Sequence, residues 1–464
     1  MGLLKGYSKE EKSWMMYDWA NSAHSVVVVT VLPIFYGTVA GFTRDSASSM
    51  ATWGYCTSIA MLLVALLAPI LGALGDFWGW RKRLFCIFLA VGALSCAGLA
   101  ITPLTGFTDT AMAERVGLWI LGLYIVSTVG FAGANLYYDS FLVDVTSPER
   151  MDQVSLLGYG LGYIGGSTIP LLLFLLLNLV GVEMIYCLSF AFGFTALWWL
   201  CFSWPLLKNV RQKSGAPYRP GAVRQALKGL GKTVKEIVRH RQMLVFLLAY
   251  FFYIDGVNTI IHMSTSYGDT LGLGSTEMLL ALLLVQLLGL PFALLYQKLA
   301  GRFGARTMVG VGIGIYMCIC VFGFFIRSIW QFWVLAILVA TSQGGIQALS
   351  RSLFGKMIPD RSRSGEFFGF YDIFGKFSAI IGPSVVALAS SVAASVIRSS
   401  RGIAADAPAA VLEGVAQEAA PWGVLSILLI FLVGAALYFV VLPRCEKRVA
   451  APSPLPAEAG EPTP

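Results

Sequence analysis

Charge is what this chain has least of. Only 12% of its 464 residues are Asp, Glu, Lys or Arg, while 57% are hydrophobic and the mean hydropathy is +0.74. Soluble domains carry about 25% charged residues, so the composition excludes a soluble globular domain. The short alternating segments of a transmembrane barrel are missing too. There is no His-Glu-x-x-His run or other metal-ligand cluster, and no Ser–His–acid set that the apolar segments obviously bring together. An intramembrane enzyme is therefore disfavoured, and no catalytic residue, metal or cofactor is expected. The eight cysteines make no disulfide framework. Seven (Cys56, Cys86, Cys96, Cys187, Cys201, Cys318, Cys320) lie in or beside apolar runs and Cys445 near the C-terminal end, so all read as small apolar residues.

Nucleotide sites are missing as well. Gly160-Leu161-Gly162-Tyr163-Ile164-Gly165 fits the dinucleotide fingerprint by letter, but it follows no strand and sits in an apolar run. Small residues at that spacing let two membrane helices approach closely. Gly231-Lys232-Thr233 resembles the end of a phosphate loop, but Ala226 stands where the first glycine belongs. No nucleotide hydrolysis is expected.

What the chain has in abundance is long apolar runs. A membrane span needs about 20 apolar residues. By that measure there are twelve, near 14–40, 51–75, 83–104, 116–142, 154–180, 184–207, 242–266, 276–300, 306–326, 329–350, 367–395 and 421–442. The expected fold class is an all-α integral membrane protein with twelve transmembrane helices in two pseudo-symmetric six-helix bundles. The expected divisions are a first bundle at 1–207, a basic linker at 208–241, a second bundle at 242–445 and a disordered tail at 446–464.

The net charge of +8 is not a nucleic-acid signal, because its distribution follows the membrane. With the N-terminus inside, 27 of the 33 Lys and Arg fall on inner segments, five (Arg44, Arg115, Arg327, Arg398, Arg401) on outer loops, and Lys376 within a span. The positive-inside rule then makes both termini cytoplasmic. The linker alone holds ten Lys and Arg against one acid, Glu236, and reads as a basic segment lying against anionic headgroups. The first run has no small-residue cleavage site and reads as a retained helix. An alanine-rich outer loop is expected at 396–420.

Polar residues inside the spans are few, and they repeat. Asp18, Asn21 and His24 follow one another at steps of three, near one face of a helix. The pair returns as Asp255 and Asn258 after Tyr253, with His262 four residues further on. A turn at Gly72-Ala73-Leu74-Gly75-Asp76-Phe77-Trp78-Gly79-Trp80-Arg81 recurs, degraded, at Leu299 to Arg306, with Gly301 in the place of Asp76. Asp76 can cap or pair with a neighbouring helix end. Asp139, after Asn135 at the end of the fourth span, corresponds to Arg351, after Gln343 and Gln347, at the end of the tenth. Three such correspondences indicate a duplicated bundle.

These features resemble the major facilitator superfamily of transporters: six plus six helices, a basic central linker, and a signature turn at Gly72, Leu74, Asp76, Gly79, Arg81 and Leu84. The turn departs from the usual pattern at Phe77 and Trp80, where basic residues are common. More specific runs are Tyr17 to Ser22, Tyr253 to Gly256, Gly345 to Arg351, and Glu366 to Tyr371 followed by Gly375-Lys376 and Gly382-Pro383. Together they resemble the vacuole-effluxer-like branch, whose fungal members release amino acids from the vacuole. His24 and His262 replace residues usually aromatic in that branch.

The resemblance implies that spans one, four, seven and ten line a central cavity with five, eight and eleven beside them. Asp18, Asn21, His24, Asn135, Asp139, Tyr253, Asp255, Asn258, His262, Gln343, Gln347 and Lys376 are then the candidate lining residues. Gly72, Asp76, Gly79 and Arg81 form the conformational turn. The competing reading is that each polar residue only pairs with another helix; Asp372 and Lys376, four apart, can satisfy each other along their own helix or contact substrate. The expected function is secondary active transport by alternating access. The expected cargo is an exported amino acid or similar zwitterion, protons are the candidate coupling ion, and Asp255 is the leading carrier. The alternatives are a multidrug-type exporter of amphipathic compounds, an intramembrane enzyme and a non-transporting scaffold. The expected partners are a small-molecule substrate and the lipid bilayer, with no nucleic acid, and the protein is expected to be a monomer. The expected location is the plasma (inner) membrane, or the vacuolar membrane in a fungus.

Overall fold

A computed structural model describes residues 4–43, 46–106, 109–218, 220–273, 275–404 and 407–445. The expected tail at 446–464, and Arg44 and Arg219, lie outside the described residues. The first six long helices are α1 (Lys9–Ala40), α2 (Ser46–Gly75), α3 (Trp80–Ile101), α4 (Thr110–Ser140), α5 (Met151–Leu179) and α6 (Met184–Asn209). A shorter linker helix follows, α7 (Ala222–Arg239). The second set is α8 (Arg241–Thr270), α9 (Ser275–Phe303), α10 (Ala305–Phe324), α11 (Ile329–Met357), α12 (Ser364–Arg401) and α13 (Ala409–Ala436). All except α7 are long and apolar enough to cross a membrane, which makes twelve spans.

Helix ends account for most differences from the sequence reading. α1 begins five residues earlier than its apolar run, because Ser8 and Glu11 form a reciprocal capping box at 3.1 and 2.7 Å. α11 runs on to Met357, so Arg351 lies inside a helix whose apolar run ends near 350. The expected outer loop at 396–420 is largely helix. α12 continues to Arg401, where Gly402 caps it in the left-handed conformation (φ +63°), and α13 starts at Ala409. Alanine is the strongest helix former, so an alanine-rich stretch beside two spans extends them rather than linking them by coil.

Within each set the helices pack around an apolar core. α1 lies against α6 and α3 against α4 in the first; α9 against α11 and α8 against α12 and α13 in the second. The two sets meet through α2 against α12 and through α5 against α9 and α11. Gly72 and Gly365 make the first contact possible, since a Cβ on Gly72 would run into the Gly365 carbonyl. The glycines of α5 serve packing: Gly158 lies against Asp18, Gly162 against Ser22, and Gly160 against Leu290 of α9.

The hydrogen bonds that cross between the two sets cluster at one end of the molecule, the end carrying the linker (the linker end). They include Ser155 to the Ala348 carbonyl (2.7 Å), Gln297 to the Tyr7 hydroxyl (2.9 Å) and Ser352 to Asp152 (2.7 Å).

Candidate functional site

Three polar layers run from the linker end toward the middle of the bundle. The first is the turn between α2 and α3. Gly79 takes a left-handed conformation there (φ +75°), which lets α3 start directly after the turn. Asp76 is buried, and its two oxygens accept the Gly365 and Glu366 backbone N–H groups at 2.8 Å each. These are free donors in the first turn of α12, so Asp76 caps a helix of the other bundle. The fully buried Arg81 holds Asp76 at 2.9 Å and Asp144 at 2.6 Å. Burial pushes the Asp76 carboxyl up to about 7, against the opposing pull of Arg81 and the two N–H donors.

The linker explains the unusual aromatics of this turn. Residues 212–218 fold back onto it: Gln212 accepts the Gly79 N–H (3.0 Å) and the Ala216 N–H donates to the Asp76 carbonyl (2.8 Å). Tyr218 packs on Phe77 and Trp80, with ring centroids 5.8 and 5.5 Å away. Phe77 and Trp80 thus give the turn an aromatic seat for its own linker. α7 is tied to the same place: Thr233 bonds Glu366 and Arg363, and Arg363 bonds Glu236 at 2.7 Å.

The second layer is centred on Arg351 of α11. Its guanidinium reaches Asp18 of α1 at 3.2 Å and Asp139 of α4 at 3.0 Å, and donates to the Ser155 hydroxyl of α5 at 3.0 Å. Trp14, Tyr138 and Tyr159 surround it, with ring centroids 4.5–5.3 Å from the guanidinium carbon. The Tyr138 hydroxyl donates to Asp18 at 2.7 Å. An arginine of the second bundle is thus buried in a cage of the first. Asp139 and Arg351, equivalent by position in the repeat, are partners in space: Asp139 is next to last in α4, and Arg351 lies six residues before the end of α11.

The third layer holds the remaining candidates. Asn21 donates to Asn135 at 2.9 Å, joining α1 to α4. On α12, Asp372 and Lys376 lie 4.0 Å apart, each a quarter exposed, and one Asp372 oxygen is buried without a hydrogen-bond partner among the described residues. His262 of α8 is exposed and within electrostatic reach of Lys376. Asn258 is half-buried and has a partner, Gln343 bonds Tyr163 of α5, and Gln347 is half-buried on α11.

Several candidates lie elsewhere. His24 is enclosed by the first bundle. Its Nε2 shares a hydrogen with Ser127 at 2.7 Å, and its ring stacks on Phe131 at 4.6 Å. The two histidines are therefore not equivalent, because a step of three and a step of four place them about 100° apart around their helices. Tyr253 is buried and bonds Ser350 at 2.6 Å within the second bundle. Asp255 is also buried there; it accepts the Gly382 N–H at 2.9 Å, with the Thr259 hydroxyl beside it. Thr259, one turn away, lines a mainly apolar cavity of about 100 Å³ in the same bundle.

The sequence reading left Arg351, Ser155, Tyr159 and Asp372 out of the candidate set. Arg351 was readable: extending its helix past the apolar run would have marked it as an intramembrane cation.

Comparison with known proteins agrees with this architecture. The family described as "Vacuole effluxer Atg22 like" matches residues 38–396. An uncharacterized MFS-type transporter of Bacillus subtilis, YxiO, is 47% identical over 394 residues, covering 83% of this chain and 89% of the relative. Autophagy-related protein 22-1 of Aspergillus clavatus is 24% identical over 442 residues, covering 82% of this chain and 70% of that protein. Among solved structures, the proton:xylose symporter XylE superposes with a TM-score of 0.64 at 14% identity, covering 93% of this chain and 94% of XylE. A bacterial homologue of the iron transporter ferroportin, in an outward-facing state, has the same TM-score and identity over 95% of this chain and 100% of that one. These relatives are transporters rather than enzymes, and the chain belongs to the vacuole-effluxer Atg22-like family of major facilitator transporters.

Proposed function

We propose that this transporter exports amino acids or similar small zwitterions by alternating access, and that protons drive it. The observation that carries the reading is the third layer. Asp372 and Lys376 form a loose, partly exposed pair beside His262, and the Asn21–Asn135 amides come from the other bundle. A zwitterion satisfies both charges at once, its carboxylate on Lys376 and its ammonium on Asp372, with the amides as neutral partners. The description of the matching family, a vacuole effluxer, supports efflux. The cavity beside Thr259 is small for an amphipathic drug, which disfavours the multidrug alternative.

Orientation follows from the charge bias: the linker end and both termini are placed in the cytoplasm, in a plasma membrane if the source is bacterial like YxiO. The structure then corresponds to the state closed toward the cytoplasm, with Asp76 and Arg351 as its two seals. We take the protein to act as a monomer. Asp255 is the proposed proton carrier, because it is buried in a span and no cation pairs with it among the described residues. The deciding experiment is uptake of labelled amino acids into proteoliposomes with and without a pH gradient. Gradient-stimulated flux that Lys376→Met abolishes supports the reading. Flux of no amino acid under either condition overturns it.

A further inference from the structure

At the linker end of the second bundle, α7 stops and α8 starts over a notch of about 470 Å³. Its walls carry Arg239, His240, Arg241 and Lys356, and its lining includes Met243 and Met357. Arg241 opens one span, Met357 closes a second and Cys445, also on the lining, ends a third, so the notch sits at the level where spans leave the membrane. No carboxylate lines it, and Arg239, His240 and Arg241 have no acidic partner among the described residues. Only Lys356 is paired, with Asp152 of α5 at 2.6 Å.

A stripe of cations leads into the notch. Arg224, Lys228, Lys232, Lys235 and Arg239 are all exposed on α7. Their steps of four, four, three and four confine them to an arc of about 80°. The opposite face of α7, with Thr233 and Ile237, is buried against the bundle. The stripe therefore does not hold the helix in place.

We propose that this notch binds the phosphate headgroup of an anionic phospholipid. Two arginine forks and a lysine match phosphate oxygens, and basic recesses between spans at the cytoplasmic level suit such headgroups. The site lies away from the cavity layers and takes a structural ligand, not cargo. It is also linked to the seal. A phosphate held by Lys356 draws that lysine off Asp152, an ion pair that joins the two bundles, so a bound anionic lipid favours opening of the linker end.

The test is native mass spectrometry of the full-length protein titrated with phosphatidylglycerol, phosphatidylcholine or inorganic phosphate. Phosphatidylglycerol is expected to bind at least tenfold tighter than phosphatidylcholine. Arg239→Ala combined with Arg241→Ala is expected to weaken it about thirtyfold, the size for two cations at a lipid surface. The control is Arg224→Ala with Lys228→Ala, which removes equal charge outside the notch and is expected to retain tight binding. Retained thermal melting by both variants shows that they fold. Equal binding of the two lipids, or equal loss in both double variants, overturns the site. Inorganic phosphate that competes fully with phosphatidylglycerol at equal concentration overturns the lipid assignment and leaves a free-anion site.

Discussion

Arg351 shows what one side chain does across the bundle interface. Two aspartates, a serine and three aromatic rings of the first bundle surround a cation of the second. Removing one member of a buried ion pair costs about 3–5 kcal/mol, because the remaining charge is stranded. For Arg351→Ala that cost falls on the state closed at the linker end, since opening lets water reach Asp18 and Asp139. The expected result is a shift of about 100-fold or more toward the open form, with net transport lost. Cysteine-accessibility labelling at the linker end checks the shift. Adding Asp18→Asn and Asp139→Asn to Arg351→Met removes the stranded charges and is expected to restore part of the closed population. A single variant that keeps the closed population of the wild type removes Arg351 from the seal.

At the scale of elements, the turn between α2 and α3 works as a cap for α12. Gly72 cannot carry a side chain without striking the Gly365 carbonyl, so Gly72→Ala is expected to keep α2 and α12 apart and abolish turnover. A substrate-exchange assay reads this directly. By contrast Arg401 and Glu418, about half exposed at the far end, form an ion pair that solvent screens, and Arg401→Ala is expected to leave exchange unchanged. Asp76 gives this element a pH dependence. In the closed state its carboxyl titrates near about 7; once exposed by opening it returns toward about 3.9. Between those values the closed form holds a proton that the open form lacks. Acidification below about pH 7 therefore favours closure, and the preference fades as pH rises through 7. Labelling of Ser364→Cys, a buried position in the seal, is expected to slow as pH falls from 8 to 6. Asp76→Asn is expected to flatten that profile, and an unchanged profile in the variant assigns the titration to another group.

Legibility in the sequence follows the physical signals. The twelve spans were readable because each keeps an apolar run long enough for a bilayer, and the repeat because Asp18–Asn21 and Asp255–Asn258 keep one spacing. The capping role of Asp76 was readable from its place beside a glycine turn. Pairing was not: Asp18 meets Arg351 while its counterpart Asp255 meets a backbone N–H, and equal spacing gave no sign of the difference. Helix ends were misjudged wherever a cap or an alanine run carried the helix beyond its apolar part, as at Ser8, Arg351 and Ala409. Hydropathy reports the bilayer, and those residues answer to hydrogen bonding instead.

For the whole molecule, the central matter is what ties a driving gradient to the movement of two bundles. Asp18 and Asp139 share Arg351 at the seal, so changing either disturbs the conformational equilibrium as well as any proton exchange. Asp255 is separate from that seal. It joins α8 to α12 through the Gly382 N–H, inside the bundle that also carries Asp372, Lys376 and His262. A change of protonation there alters the contact between the two helices that bear the proposed substrate groups. Asp255→Asn keeps an acceptor for the Gly382 N–H and removes only the exchangeable proton, so the fold is expected to survive. If Asp255 couples the gradient, the variant is expected to lose pH-gradient-driven accumulation in proteoliposomes while exchange of substrate at equal pH on both sides continues at near the normal rate. Loss of both points instead to a binding or folding role. Full gradient-driven accumulation rules out Asp255 as the carrier and shifts the assignment to His262, an exposed imidazole within electrostatic reach of Lys376.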